Sequence, residues 1–388
     1  MIIFKPVYEP QEDSTMLERW VKRHASGRVL DVGTGSGIQA IAAALNPKVK
    51  SVLAVDIQKN SIDYCRKNIK NRKIKFLQSD LFENVKGKFD AIIFNPPYLP
   101  QEMGVLDIEL EGGKKGYETI QKFIELVNKF LSKDGIVLIA FSSLTKKEKV
   151  EEFIKNNLLD FTELEKMHIF FEDLYVYLLK KNDILKMLED KKISEIRYLA
   201  KGHRGLLFTG IYKNKKIAAK IKNPQSAAFG RIANEAKWLK VLNKYGIGPR
   251  LLQSGEDYFF YEFIKGDFIV NYLKKSGKSR IKKVIRYIFL QMRKLDELKI
   301  DKEEMHHPTK HIIVNRYGPF LIDFERAHKS YNPKNVTQFC QFVTGGHLSG
   351  ILSGKGIKIS KNKSIKLAKV YKKQQTTKNF KSILKFFA

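Results

Sequence analysis

The chain has 388 residues, enough for two domains of ordinary size, and 43% of them are hydrophobic, enough for a packed core in each half. Two cysteines far apart, Cys65 and Cys340, exclude a disulfide framework. With no apolar run approaching about 18 residues and no signal-like N-terminal stretch, a soluble cytoplasmic protein without membrane contact is expected. The formal net charge of +31 is unevenly placed: residues 1–181 hold 28 Lys and Arg against 25 Asp and Glu, residues 182–388 hold 44 against 16, and no acidic residue follows Glu325. A second half this basic attracts polyanions by phosphate neutralisation and counterion release, so RNA or ribonucleoprotein contact is expected there.

Along the first half, short β-branched runs alternate with amphipathic stretches. The predicted strands are Arg28–Val32, Ser51–Ile57, Lys73–Gln78, Phe89–Phe94 and Gly135–Ser142; helices lie between them at Gly37–Leu45, Ser61–Lys70, Tyr117–Phe130 and Lys146–Asn156. This alternation predicts an α/β domain with a doubly wound, mostly parallel sheet. Lys166–Phe171 and Leu174–Leu179, split by Glu172 and Asp173, read as a closing antiparallel hairpin. The pattern changes at Lys180–Asp183. Beyond it come a hairpin-rich sheet (Ile196–Tyr212 and Lys216–Lys222), a helix at Phe229–Lys244, a strand at Asp257–Phe263 and a Lys- and Arg-rich helix at Gly277–Leu298. The reading divides the chain into domains at 1–181 and 183–350 and a basic tail at 351–388. In that tail, Lys355–Ala388 is Lys-rich with apolar residues at helical spacing, and a helix that orders only on a partner is expected there.

Four motifs follow successive strand ends in the first half. Val29-Leu30-Asp31-Val32-Gly33-Thr34-Gly35-Ser36-Gly37 is a buried strand running into a tight glycine turn, with glycines at every second residue rather than in the dinucleotide-binding spacing. Asp56, followed by Ile57, ends the second strand, where a carboxylate can accept from both hydroxyls of a ribose. Asp80, in Ser79-Asp80-Leu81-Phe82, follows the third strand, placed to accept from an adenine amino group while Leu81 covers the ring. Asn95-Pro96-Pro97-Tyr98 follows the fourth. An amide or exocyclic amino nitrogen is a poor nucleophile because its lone pair is delocalised. The Asn95 side-chain oxygen and the Pro96 carbonyl can both accept from such an NH₂ group and favour the positive charge that grows on it. Pro96 and Pro97 stiffen the loop, and Tyr98 offers a flat face to the substrate.

In this order the motifs resemble the cofactor loop and active site of class I S-adenosylmethionine-dependent methyltransferases. Residues 1–181 resemble more closely the HemK/PrmC group of N5-glutamine methyltransferases, in particular its archaeal and eukaryotic branch. Three features carry that closer match: Val7-Tyr8-Glu9-Pro10-Gln11-Glu12-Asp13-Ser14, which matches the opening segment over the cofactor site; Glu111-Gly112-Gly113 with Gly116; and Leu174-Tyr175-Val176-Tyr177 in the closing strand. The resemblance implies S-adenosyl-L-methionine held by Asp31, Gly33, Thr34, Gly35, Gly37, Asp56, Ile57, Asp80, Leu81 and Asn95. It implies methyl transfer at Asn95, Pro96, Pro97 and Tyr98 to the glutamine of a Gly-Gly-Gln loop in a class-1 translation release factor, and a small zinc-binding activator subunit as partner. The Asn-Pro-Pro-Tyr motif is shared with amino-group methyltransferases of nucleic acids, so an RNA base, with the basic half as RNA-binding arm, stands as the alternative acceptor.

The second half resembles a small protein-kinase-like α+β fold of the RIO and archaeal tRNA-threonylcarbamoyl-complex type. Lys201-Gly202-His203-Arg204-Gly205 matches the phosphate-covering loop. Lys220 in Ala218-Ala219-Lys220 matches the phosphate-binding lysine, and Glu235 on the next helix its ion-pair partner. Tyr261-Glu262-Phe263 resembles the adenine hinge, and Leu321-Ile322-Asp323-Phe324-Glu325 the magnesium-binding segment. The resemblance implies ATP and Mg, with Asp323 as metal ligand. The catalytic loop departs from the pattern: His306 falls where the family has its catalytic Asp, His311 where it has a metal-binding Asn, Glu325 replaces a glycine, and no carboxylate in the loop is an evident substitute base. Whether this half transfers phosphate or only docks on RNA stays open.

Overall fold

The structure is a computed structural model in which residues 10–97, 115–201, 205–223 and 230–387 are described. The Val7–Glu9 part of the opening segment, Tyr98, Glu111–Gly113 and Gly202–Arg204 lie outside the described residues. The chain divides into two compact units at Tyr198/Leu199, inside a strand that begins at Ser194.

The first unit opens with helix α1 (Glu12–His24), where no helix was expected. Glu12 and Asp13 in its first turn and Lys22, Arg23 and His24 in its last complement the helix dipole, and Met16, Leu17 and Val21 form its buried stripe. The alternation then proceeds as β1 (Gly27–Val32), α2 (Ile38–Leu45), β2 (Val49–Asp56), α3 (Lys59–Asn68), β3 (Ile74–Gln78), β4 (Phe89–Phe94), α4 (Glu118–Val127), β5 (Leu131–Ser142), α5 (Lys147–Asn156), β6 (Leu159–Ile169), β7 (Glu172–Lys181) and α6 (Asp183–Asp190). One seven-stranded sheet has the order β3-β2-β1-β4-β5-β7-β6. Only β7 runs against the others, because it pairs antiparallel with both β5 and β6. The central strands are nearly continuous runs of Val, Ile, Leu and Ala, as a sheet covered on both faces requires. One core layer packs around Phe82, Phe94, Phe123 and Phe141, and the other around α1, α2 and the small Ala40, Ala42 and Ala43. This is the class I S-adenosylmethionine-dependent methyltransferase fold. The closing hairpin is longer than its apolar runs suggested, because its partly exposed outer strand, β6, carries Glu and Lys at positions that read as loop.

The second unit begins within β8 (Ser194–Lys201) and continues with β9 (Gly205–Tyr212), β10 (Lys215–Lys222), helix α7 (Arg231–Leu242), and β11 (Leu251–Ser254) and β12 (Tyr258–Glu262). These strands form a five-stranded sheet ordered β11-β12-β10-β9-β8, with β10 antiparallel to both its neighbours. The chain continues through β13 (Asp267–Phe268), α8 (Ile269–Lys275), α9 (Lys278–Glu297), β14 (Ile300–Asp301), β15 (Ile312–Asn315), β16 (Gly318–Leu321), β17 (His328–Lys329), α10 (Asn335–Thr344), α11 (Gly346–Gly354), α12 (Lys361–Lys373) and α13 (Thr377–Phe387). Helix α9 buries Ile281, Val284, Ile285, Ile288, Phe289, Met292 and Leu295 at three- and four-residue spacing and turns most of its Lys and Arg outward.

The basic tail is not a segment awaiting a partner, and this corrects the sequence reading. Phe380, Ile383, Leu384 and Phe387 of α13 are buried in the same core as α9 and α10, and the Phe387 ring stands 4.9 Å from that of Phe289. Tyr371 of α12 is fully buried and donates to Asp296 at 2.9 Å, while Arg293 donates to the Tyr371 hydroxyl and the Gln375 carbonyl at 3.0 and 2.8 Å. Lysine content suggested disorder, but the apolar residues at i, i+3, i+4 and i+7 make one stripe that a groove of the same unit covers. Phe387→Ala should therefore destabilise the second unit by about 3–5 kcal/mol. The urea midpoint of the full chain measures this; an unchanged midpoint would place α13 outside the core.

Candidate functional site

The strand order reverses between β1 and β4, and in open α/β sheets ligands bind beyond the carboxyl ends of the strands at such a switch point. Four of the predicted segments lie at that edge: the glycine turn after β1, Asp56 at the end of β2, Asp80 after β3 and Asn95 after β4.

The turn is built by its own backbone and two carboxylates. Gly33 and Gly37 have φ of 66° and 86°, a region that glycine enters without strain, and a Cβ on Gly37 would sit 2.4 Å from Ile69. Thr34 donates its hydroxyl to Asp31 Oδ2 at 2.6 Å, and the Gly35 amide donates to Asp56 Oδ2 at 2.9 Å. The other Asp56 oxygen accepts from the Gln58 amide at 2.9 Å. Asp31 is 1% exposed, so its carboxyl supports the turn from beneath rather than facing the crevice. Burial pushes the Asp31 carboxyl up to about 7 against the Thr34 hydrogen bond, and burial also raises Asp56. Ile57 is half exposed beside Asp56. Asp80 pairs with Lys122 at 2.8 Å, leaving further lone pairs on its carboxylate, and Leu81 takes a left-handed φ of 47°.

At the end of β4, the Asn95 amide nitrogen donates to Asp13 Oδ2 at 3.0 Å and to Ser14 Oγ at 3.1 Å. A carboxylate only accepts, so Asp13 dictates that the NH₂ end of the amide faces α1. The Asn95 oxygen then points the other way; it is buried and has no hydrogen-bond partner among the described residues. Such an atom costs about 1–3 kcal/mol unless something donates to it. Pro96 follows as a buried residue, with Pro97 partly exposed. The positioning role of Asp13 and Ser14 was not read from sequence. Its only signal was the match of the opening segment, because nothing local relates residue 13 to residue 95. Gln39 donates to the Ser14 carbonyl at 2.8 Å and ties the same turn to α2.

The second unit assembles a separate cluster. Lys220 on β10 meets Glu235 on α7 at 2.5 Å, Asp323 at 3.4 Å and Glu325 at 3.8 Å. The Phe324 amide also donates to Glu235 at 3.3 Å. Burial opposes the Lys220 charge, but the three carboxylates outweigh it and hold the ammonium above its usual range. Burial pushes Glu235 up, whereas Lys220 and Lys302 overcome burial at Asp323 and hold it low. Oxygens of Glu235, Asp323 and Glu325 lie within 4.8 Å of one another, a donor set suited to a hard divalent cation. His311 Nε2 is 4.0 Å from Asp323, so the structure brings His311 to this cluster. His306 is exposed and lines an adjacent cavity of about 720 Å³. Among the described residues it makes no ion pair with Lys220 or Asp323.

The sign of the Asp31 shift gives a test of the turn. A native carboxyl at about 7, against an ordinary 3.8, holds a proton that the unfolded chain releases. Its stabilisation is complete below about pH 4 and is lost as pH rises through about 7. Asp31→Asn should flatten the fall in melting temperature over that interval; an equally steep fall in the variant would remove Asp31 as its source.

The family model for the methyltransferase small domain matches residues 11–170. Over 154 residues the chain is 41% identical to a Methanocaldococcus jannaschii protein provisionally named a protein N5-glutamine methyltransferase, covering 38% of this chain and 78% of that one. It is 29% identical over 160 residues to the release factor glutamine methyltransferase of Haemophilus influenzae, covering 36% of this chain and 54% of that enzyme. The chain thus spans about half the length of that bacterial relative. A chain of the E. cuniculi Mtq2–Trm112 complex, a complex responsible for methylation of the eRF1 translation termination factor, is also similar: 23% identity, TM-score 0.38, coverage of 46% of this chain and 100% of that one. With its motifs in order on the carboxyl edge of a class I methyltransferase sheet, the chain belongs to the HemK/PrmC-type N5-glutamine methyltransferase family.

Proposed function

We propose that the first unit, with its catalytic domain at 1–181, methylates the side-chain amide of the glutamine in the Gly-Gly-Gln loop of a class-1 translation release factor. The observation that carries this reading is the buried Asn95 oxygen, which has no hydrogen-bond partner among the described residues. Bound S-adenosylmethionine would supply the electrophilic methyl group. Gly33, Gly35 and Gly37 would let the backbone approach that cofactor, Asp56 would accept from its ribose and Asp80 from its adenine, with Ile57 and Leu81 against the ring. Asp31 and Thr34 would hold the turn. Asn95 Oδ1 and the Pro96 carbonyl would each accept one N–H of the glutamine amide. That pair orients the nitrogen and stabilises the charge growing on it, and no general base is required before the methyl moves. Asp13 and Ser14 act through Asn95 by fixing which end of its amide meets the substrate. The resemblance of the opening segment to the archaeal and eukaryotic branch supports a small zinc-binding activator subunit as partner.

The experiment offers labelled S-adenosylmethionine to release factor in one reaction and to total RNA in another. Label should enter the release factor and be lost when the Gly-Gly-Gln glutamine is changed to alanine; label in RNA and none in protein would establish the alternative acceptor. Asn95→Ala should lower kcat by about 10²–10³-fold, in line with the loss of one charge-stabilising hydrogen-bond partner, while cofactor affinity changes little. An equal loss of cofactor affinity would move Asn95 from the substrate to the cofactor site.

For the second unit we infer a kinase-like nucleotide site. Lys220 would hold phosphate, Glu235 would orient Lys220, and Asp323 with Glu325 would hold Mg. The support is the buried Lys220–Glu235 pair with Asp323 beside it. The 44 Lys and Arg against 16 Asp and Glu after residue 181 support contact with RNA in a ribosomal setting. Lys220→Ala should weaken ATP binding at least about tenfold, or ~1.4 kcal/mol, in equilibrium titration; unchanged affinity would remove the site.

A further inference from the structure

The loop before β15 has histidines where a phosphoryl-transfer site needs a proton acceptor, yet the fold brings a carboxylate there from a neighbouring position. Glu304 Oε1 pairs with Arg326 at 2.8 Å, and Glu304 Oε2 lies 3.9 Å from His311 Nε2. His311 leads on to Asp323 at 4.0 Å, and Asp323 to Lys220 at 3.4 Å. A continuous run of side chains therefore joins Glu304 to the Lys220 cluster. Glu304, His306, His311 and Arg326 all line the 720 Å³ cavity, and the Glu304 side chain is 38% exposed, open to a bound molecule.

The position of Glu304 is enforced from both sides. Lys302, two residues earlier, is 2% exposed, and its ammonium donates to the Asp323 carbonyl at 2.6 Å. This bolts the loop to the Asp323 segment. The Lys302 side chain is sealed from solvent, so that bond holds it in place. The His307 amide closes the turn onto the Glu304 carbonyl at 3.0 Å. Glu303, Glu304 and Asp323 take φ of 60°, 54° and 62°, left-handed values that non-glycine residues keep only where surrounding contacts impose them. Arg326 occupies one Glu304 oxygen and leaves the other turned towards His311.

We propose that Glu304 accepts the proton of an attacking hydroxyl in phosphoryl transfer from ATP, making the second unit a phosphotransferase; this rests on the nucleotide site inferred above. The hydroxyl oxygen forms its bond to the γ-phosphorus as the bond from that phosphorus to the β–γ bridging oxygen breaks. The bridging oxygen leaves with the electron pair as part of ADP, and the hydroxyl proton passes to Glu304 Oε2. His306, in the position that the sequence pattern singles out, lines the wall of the cavity.

The test uses the full chain with MgCl₂ and γ-labelled ATP, following label in protein, release of inorganic phosphate and, separately, equilibrium ATP binding and the melting midpoint. Label in protein identifies a side-chain hydroxyl as acceptor, and released phosphate identifies water. Glu304→Gln should lower turnover by about 10²-fold or more with ATP affinity within about twofold and the midpoint unchanged, and Glu304→Asp should recover part of the rate. Wild-type turnover in Glu304→Gln would overturn the proposal, as would a wild-type chain that binds ATP and neither labels protein nor releases phosphate. A wild-type chain that does not bind ATP would overturn the nucleotide site itself and this proposal with it.

Discussion

Parallel pairing of β1 with β2 and β4, and of β2 with β3, puts four carboxyl ends on one edge of the sheet. Everything at the first site depends on that constraint. Each chain segment leaves its strand at this edge, where backbone groups are no longer committed to the ladder and can be offered to a ligand. The glycine turn, Asp56, Asp80 and Asn95 are scattered over 63 positions of sequence, from Gly33 to Asn95, and become neighbours because hydrogen bonding fixes the register of the strands they follow. The reversal of order between β1 and β4 falls at this edge, the place where open α/β sheets bind ligands.

Within that frame, polarity is assigned by what each group cannot do. Asp13 cannot donate, so the Asn95 amide must turn its nitrogen towards it and its oxygen away. Asp56 spends lone pairs of both oxygens on the amides of Gly35 and Gln58, which rigidifies the turn. Asp31 is sealed beneath the turn, where its bond to Thr34 compensates in part for lost hydration. Of the carboxylates read from sequence as one set of cofactor ligands, Asp31 and Asp56 are buried in the hydrogen bonding of the turn, and Asp80 is partly exposed.

The second unit applies the same logic to a cation. Lys220 sits among three carboxylates, an arrangement whose desolvation would be prohibitive for any one of them alone. Removing Lys220 would leave Glu235, Asp323 and Glu325 mutually repelling, so the cluster is coherent only with a cation at its centre. Lys302 adds a second buried ammonium that fastens the loop carrying Glu304 to the backbone of Asp323. The basic character of this unit is therefore of two kinds: a few buried lysines that organise the interior, and the outward-facing residues of helices such as α9 and α12.

Local pattern determined much of this protein by itself. The β-α alternation, the glycine turn and the acidic residues ending successive strands are short-range features, because pleat, helix period and left-handed turns each involve only a few consecutive residues. The tertiary structure decided what depends on distance through the chain. It set Asp13 and Ser14 against Asn95, placed α13 in the core where lysine content had suggested a free tail, and brought Glu304 to 3.9 Å from His311. In each case the deciding interaction joins residues far apart in sequence, or turns on backbone direction in a left-handed loop. Neither quantity is carried by composition or spacing; both exist only once the chain has closed on itself.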